Sequence, residues 1–149
     1  MKIKAATKKD FDKINELDEK ICLYEKKFDP LIRVGKFEKK NVKEIFKFKD
    51  KKAFLAVENN KVVGHIIGWM EKRKLYNNIN VGFICDIFVE RKFRNKGIGG
   101  ALMKEMMKWF KKKGARYEEL HVYTGNKKAQ KLYKQAGFKE YDKVMRLKI

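Results

Sequence analysis

The stretch Arg94-Asn95-Lys96-Gly97-Ile98-Gly99-Gly100-Ala101 stands between an apolar run, residues 81–89, and a segment whose apolar residues recur at helical spacing. This pattern predicts a mostly buried strand, a short basic loop rich in glycine, and an amphipathic helix. The first turn of a helix has backbone N–H groups without intrahelical partners, and the helix dipole makes that end positive. Glycine lets a ligand approach the backbone closely, and Arg94 and Lys96 add positive charge. The stretch therefore indicates a site for a phosphate-bearing ligand.

Two familiar phosphate-binding patterns do not match this loop. The dinucleotide pattern G-x-G-x-x-G begins at Gly97 and Gly99, but its third glycine is replaced by Leu102. The P-loop pattern requires Lys followed by Ser or Thr after its last glycine, and no such pair follows Gly100. The spacing that remains is R-x-x-G-x-G. On this stretch alone, a plain strand-to-helix turn is the alternative interpretation.

Length and composition restrict the class of protein. The chain has 149 residues, 44% of them hydrophobic, which predicts one folded domain over residues 1–149. No run of 18 apolar residues suggests a membrane span, and the N-terminus lacks the apolar core of a signal peptide. The two cysteines, Cys22 and Cys85, support neither a disulfide framework nor a metal site. We therefore expect a cytoplasmic protein with reduced thiols and no metal.

The net charge of +20 is the most unusual feature of the composition. A field of this sign attracts polyanions, so nucleic acid, a ribosome or an acidic protein is a possible partner. The lysines are spread over the whole chain rather than gathered in one stripe. This spread favours the alternative that the charge reflects a general use of lysine on solvent-facing surfaces, and nucleic-acid binding is the less favoured interpretation.

Periodicity and turn residues predict an alternation of strands and helices along the whole chain. Asn59 and Asn60 mark the turn of a hairpin, because asparagine tolerates the left-handed conformation. Asn126 is placed to cap the last helix, and Gly137 to end it. The predicted strands lie at 2–6, 53–57, 62–70, 81–90 and 117–124, with one or two more at 138–149; the predicted helices run from Thr7 to Asp29-Pro30, near 42–46, over 97–113 and from Asn126 to Gly137.

A second motif lies one helix and one strand downstream of the glycine loop. Residues Asn126 to Phe138 read N-x-x-A-x-x-L-Y-x-x-x-G-F, which resembles motif B of the GNAT superfamily of acyl-CoA-dependent N-acyltransferases. The R-x-x-G-x-G loop resembles motif A of the same superfamily, and the two motifs stand in the family's order. The resemblance covers roughly residues 53–149. It implies an α/β fold: a twisted mixed sheet flanked by helices, with the central strand and its successor splayed apart.

The resemblance also implies acetyl-CoA as cosubstrate. In the family, the pantetheine arm pairs with the backbone of the central strand, here Ile87, Phe88 and Val89, as an added strand does. The arm is held from the other side by Asn126. The pyrophosphate is implied to rest on the amides of the basic loop and first helical turn, namely Arg94, Asn95, Lys96, Gly97, Ile98, Gly99 and Gly100.

The implied reaction is transfer of the acetyl group to a primary amine, by direct attack of the neutral amine in a ternary complex. Tyr133, near the implied position of the sulfur, would protonate the leaving thiolate; the alternative is a core aromatic. Asp86 stands in an apolar run and is the nearest candidate base. On the residues alone, the favoured alternative is a structural aspartate bonded to backbone N–H groups. Some family members carry a Glu one residue earlier, where this chain has Cys85.

The acceptor is the least defined part of this hypothesis. A protein N-terminus, a lysine or a small amine are all compatible with the pattern. A chain of charge +20 repels cationic amines unless the pocket is locally acidic. Acidic side chains that could make it so lie in the N-terminal region: Asp18, Glu19, Glu25 and Asp29. The rival hypothesis is a non-catalytic module that binds CoA or docks on RNA or a ribosome. Dimers are frequent in the superfamily, so a homodimer is possible by analogy.

Overall fold

A computed structural model describes residues 1–35 and 40–149. Its regular elements alternate along the chain much as the periodicity predicts. The strands are β1 Lys2–Ala5, β2 Lys51–Glu58, β3 Lys61–Arg73, β4 Ile79–Val89 and β5 Tyr117–Leu120. The helices are α1 Phe11–Glu25, α2 Lys40–Ile45, α3 Ile98–Lys112 and α4 Lys127–Gln135, with short 3₁₀ turns at Lys8–Asp10, Lys74–Tyr76 and Arg91–Phe93.

The five strands form one sheet in the order β1-β2-β3-β4-β5. Neighbours in β1 to β4 run antiparallel, whereas β4 and β5 run parallel. The parallel pair needs a crossover connection, and α3 supplies it. The mixed sheet with flanking helices confirms the fold class that the sequence predicted.

Apolar residues from the two faces of the sheet form two cores. One core joins α3 to the sheet through residues such as Ile66, Ile84 and Met106, and α4 packs against it through Tyr133 and Ala136. The other core joins α1 and α2 to Leu55 and Ile67 on the opposite face. The sheet therefore separates an α3–α4 side from an α1–α2 side. In the described part of the chain, no helix combines the length and apolar character needed to cross a bilayer.

Two asparagine pairs turn the chain within β-hairpins. Asn59 and Asn60 join β2 to β3 with φ values of 49° and 58°, which confirms the predicted turn. Asn77 and Asn78, with φ of 56° and 58°, do the same before β4. The segment 71–80, which lies between the predicted strands 62–70 and 81–90, is partly strand, because Arg73 pairs with Ile79 across the turn. Backbone pairing here outweighs the polar character of the side chains.

The C-terminal part of the chain departs from the sequence prediction. β5 ends at Leu120 rather than at residue 124, and residues 138–149 belong to neither helix nor strand, so the predicted final strands are wrong. A strand needs a neighbour for its backbone hydrogen bonds, and within residues 1–35 and 40–149 none lies beyond β5. Alternation in the sequence cannot by itself provide that neighbour.

Candidate active site

An opening lies between β4 and β5. β5 pairs with β4 only from Val81 to Ile84, although β4 continues to Val89. Within the described residues, the β5-facing edge of β4 therefore has no strand partner from Cys85 onward. Exposed strand edges carry unpaired N–H and C=O groups that an extended ligand can bind. The predicted splay of the two strands is thus present, and Ile87, Phe88 and Val89 lie along it.

A β-bulge in β4 stands at the point where the two strands separate. Ile67 of β3 pairs with Asp86, and the next residue, Gly68, pairs with Ile84, so that Cys85 is the extra residue. A bulge bends the strand that contains it and increases its twist. The bend and the end of the β4–β5 pairing fall at neighbouring residues. We infer that the bulge turns β4 away from β5.

The first turn of α3 lies beyond the end of β4 and presents free backbone donors. Gly97 caps the helix in the left-handed conformation, with φ of 75°, and no side chain bonds to this helix end. Ala101 donates the first intrahelical bond, to the Gly97 carbonyl at 3.0 Å. Among the described residues, the amides of Ile98, Gly99 and Gly100 have no backbone acceptor. With the helix dipole, these amides suit a bound anion such as a diphosphate.

The glycines of this turn serve three different purposes. Gly97 supplies a positive φ, as does Asn95 in the preceding loop with φ of 63°. Gly99 makes room for α4, because a Cβ there would lie 3.2 Å from the Leu132 Cδ2 atom. A Cβ at Gly100 would meet no atom within 4 Å, so that side of the turn is open. The loop and α4 are thus brought together by a small residue.

The Arg94 side chain contacts both β4 and α1. Its Nε atom donates to the Val89 carbonyl at 2.8 Å. Its guanidinium lies over the rings of Tyr24 and Phe88, 5.3 Å from each centroid. In this arrangement Arg94 connects the end of β4 to α1. Lys96 has its ammonium group over the Phe93 ring.

Asn126 begins α4. Its Oδ1 atom accepts a hydrogen bond from the Ala129 amide at 3.2 Å, and the residue is 8% exposed. This contact confirms the predicted N-cap. The Oδ1 atom is therefore committed to the helix, and the side-chain amide nitrogen is the group that remains for a ligand.

Tyr133 lies on α4 and packs against the α3-side core. Burial raises the pKa of its hydroxyl above the ordinary value, and the charges of Glu25 and Asp86 raise it further. A group with a raised pKa stays protonated at neutral pH and can donate a proton.

Asp86 faces the opposite side of the sheet from the α3 core. Its cross-strand partner Ile67 packs among the residues of the α1–α2 core, and directly paired residues share a face. The Asp86 Oδ2 atom accepts a hydrogen bond from the Cys85 thiol at 2.9 Å. Asp86 is only partly buried. It can therefore exchange a proton with a group that enters from the α1–α2 side.

The family model of the acetyltransferase (GNAT) family matches residues 15–138 of the chain. The chain belongs to the GNAT family of acetyltransferases. An uncharacterised N-acetyltransferase of Methanocaldococcus jannaschii is 34% identical over 87% of this GNAT chain and 59% of its own length. An N-alpha-acetyltransferase of Sulfurisphaera tokodaii is 35% identical over 62% of the chain and 59% of its own.

The GNAT fold of the chain is also that of solved acetyltransferases. The aminoglycoside N-acetyltransferase AAC(6′)-Iy, solved in complex with CoA, superposes with a TM-score of 0.78 at 19% identity, covering 99% of this chain and 98% of that one. At that identity the likeness shows the fold alone. The chain spans 59% of the length of the two curated relatives.

Two residues that no motif indicated interact with this part of the GNAT fold. Burial raises the pKa of Tyr133 and of Tyr123, and the charge of Glu25 at the end of α1 raises both further. Tyr123 follows β5 and stacks on Phe28 at a centroid distance of 6.1 Å. Glu25 is one of several acidic residues in the N-terminal region, and no sequence pattern distinguishes it from the others.

Proposed function

We propose that the protein transfers the acetyl group of acetyl-CoA to a primary amine. One observation carries the proposal: within the described residues, β4 has no strand partner on its β5 side from Cys85 onward, and the free amides of α3 follow it in the chain. Tyr133 packs against the same core as Ile87 and Val89 of that strand. Family membership supports the proposal, as do the name of the Sulfurisphaera relative and the CoA bound to AAC(6′)-Iy. The acceptor is a protein N-terminus, a lysine or a small amine.

The cosubstrate supplies an activated acetyl thioester. The chain binds it at two places: the amides of Ile98, Gly99 and Gly100 hold the diphosphate, and the backbone of residues 87–89 pairs with the extended arm. Backbone donors on the same strand edge are placed to stabilise charge on the thioester oxygen. Asn126 contributes its side-chain amide from the start of α4.

Tyr133 is the proposed general acid. It donates its hydroxyl proton to the thiolate that leaves as the amine attacks the carbonyl. The raised pKa of Tyr133 keeps this proton in place before the reaction. The partly buried ring lies against the Phe138 ring, with centroids 6.3 Å apart, which restricts where the hydroxyl can move.

Asp86 is the proposed base. A lysine-like amine has a pKa of about 10.4 in water and must lose a proton before it attacks. Asp86 faces the α1–α2 side, from which the acceptor enters in this proposal, while Tyr133 belongs to the α3–α4 side. The two proton-transfer groups therefore approach the reacting carbonyl from opposite sides.

Replacing Tyr133 with Phe tests the assignment of the acid. We expect Tyr133→Phe to lower kcat about 100-fold or more, since general acid catalysis typically contributes at least that much, while the Kd for CoA stays within about twofold. In the unmodified protein, kcat should not decline up to about pH 10, because the protonated form persists below the raised pKa of Tyr133.

The control is Tyr117→Phe on β5, where the side chain is 60% exposed. This change should leave kcat and CoA binding as they are. Unchanged turnover in Tyr133→Phe would remove Tyr133 as the acid. A lower CoA affinity in that variant would instead assign the ring a binding role.

An amine panel assayed with acetyl-CoA by thiol release tests the activity itself. The panel contains peptides with free N-termini, lysine-containing peptides with blocked N-termini, and alkyl mono- and diamines. If thiol is released only in the presence of one class of amine, that class is the acceptor. CoA binding by calorimetry without thiol release from any amine would support the non-catalytic module, and absence of CoA binding would overturn the proposal.

A further inference from the structure

Glu25 ends α1, and Asp29 follows one turn later, where its amide donates to the Glu25 carbonyl at 3.1 Å. The neighbouring Tyr24 has the Arg94 guanidinium over its ring, 5.3 Å from the centroid. The Arg94 Nε atom in turn donates to the Val89 carbonyl at the end of β4. The two carboxylates therefore follow the part of α1 that contacts the open end of β4.

A cation already lies on one of these carboxylates. The two Nη atoms of Arg146 donate to the two carboxylate oxygens of Asp29 at 3.0 and 2.9 Å. Such bidentate pairs are among the strongest ionic hydrogen bonds in proteins. The guanidinium holds the pKa of Asp29 below its ordinary value, aided by the Leu31 amide. The Asp29 carboxylate is thus ionised and oriented to bind a cation.

The two partners of this contact differ in how they are held. The Asp29 side chain is 10% exposed, and the Leu31 amide bonds to its Oδ1 atom at 3.1 Å. Arg146 is 64% exposed and belongs to a segment, residues 139–149, in which every residue is exposed. Val144 and Met145 beside it are 90% and 93% exposed. The carboxylate is therefore fixed, whereas the arginine can leave without uncovering a core.

We propose that Asp29 binds a second cationic group of the amine acceptor, and that Arg146 occupies this position until the acceptor arrives. The inference rests on the proposed function, because it assigns the α1 side of the site to the acceptor. Exchange of one ion pair for another leaves Asp29 compensated throughout. A neutral group on the acceptor makes no such exchange and leaves Arg146 in place. The preferred acceptor is then a primary amine with a further positive charge a few bonds away.

The kinetic test compares 1,5-diaminopentane with pentylamine, which differ by one ammonium group. We expect Asp29→Asn to raise the KM for the diamine about threefold to tenfold, and Arg146→Gln to lower it by a similar factor. The KM for pentylamine should change with neither, and kcat should stay constant. The double variant should behave like Asp29→Asn alone. If the salt bridge were purely structural, both single variants would change KM in the same direction, and they would do so for both amines.

The matched control is Lys143→Gln, which removes one positive charge from the same segment. No ion pair joins this side chain to the described residues, so the variant should leave the ratio of the two KM values unchanged. If it lowers the diamine KM as much as Arg146→Gln does, net charge rather than the Asp29 position is responsible, and the proposal fails.

A second test needs no turnover and no acetyl-CoA. Trypsin cleaves after both Arg146 and Lys143, and mass spectrometry gives the ratio of the two rates within one segment. The ion pair should protect Arg146, so the ratio should rise in Asp29→Asn and when 1,5-diaminopentane is added to the unmodified protein, but not with pentylamine. An unchanged ratio would overturn the proposal even in an active acetyltransferase. If this cleavage ratio rose but no amine caused thiol release, the Asp29 site would stand and the proposed transferase function would fail.

Discussion

At the scale of single residues, His65 and Asp18 form a buried pair between β3 and α1. The His65 Nε2 atom lies 2.9 Å from the Asp18 Oδ1 atom, and the two residues are 0% and 2% exposed. The contact gives the buried imidazole a polar partner at Nε2, whereas its Nδ1 atom has no hydrogen-bond partner among the described residues. The pair joins the helix that carries Glu25 to the strand beside β4. Its loss should therefore affect the stability of the α1 side of the site.

We predict that His65→Leu lowers the free energy of unfolding by about 3 kcal/mol, because a buried carboxylate loses a hydrogen-bond donor. Urea unfolding followed by circular dichroism measures the change. The control is His121→Leu at an exposed position, which should stay within about 0.5 kcal/mol. The double variant His65→Leu/Asp18→Leu should recover part of the loss. If His65→Leu and His121→Leu were equally stable, the His65–Asp18 pair would contribute nothing to stability.

At the scale of elements, the approach of α4 to the first turn of α3 depends on Gly99. A Cβ there would crowd Leu132, whereas a Cβ at the neighbouring Gly100 would enter open space. We expect Gly99→Ala to cost about 1–2 kcal/mol by overpacking. Gly100→Ala should be neutral or stabilising by up to about 1 kcal/mol, since alanine favours helix.

Thermal unfolding and hydrogen exchange of the α4 amides measure both changes. Faster exchange in α4 should accompany Gly99→Ala and be absent in Gly100→Ala. The same response in both variants would mean that helix propensity, not contact with Leu132, governs this junction.

At the scale of the whole molecule, the net charge of +20 acts on both substrates of the proposed reaction. Between about 0.01 M and about 1 M monovalent salt, the screening length falls roughly tenfold. The KM for anionic acetyl-CoA should therefore rise several-fold. The KM for a cationic acceptor should fall, because its long-range repulsion is screened, while kcat changes little. A salt-independent KM for acetyl-CoA would show that local contacts alone determine its binding.

The parts of the site that could be predicted from the sequence are those made by near neighbours. The Asn59-Asn60 turn and the Asn126 cap depend on hydrogen bonds and backbone angles within a few residues. Their patterns are therefore visible in a short stretch. The alternating pattern of side chains in residues 138–149 is equally local, but the strands it predicted are absent. A strand depends on a partner strand, which a short stretch of sequence does not contain.

The sequence by itself determined the family, the order of the elements up to α4 and the position of the glycine loop that begins α3, because residue type and spacing specify a capped helix and a glycine loop locally. Only the tertiary structure decided that Cys85 forms the bulge, that the charge of Glu25 acts on Tyr133, and that Asp29 binds Arg146 from 117 positions away. These contacts join residues far apart in the chain. They follow from how the helices pack on the sheet, which no short pattern encodes.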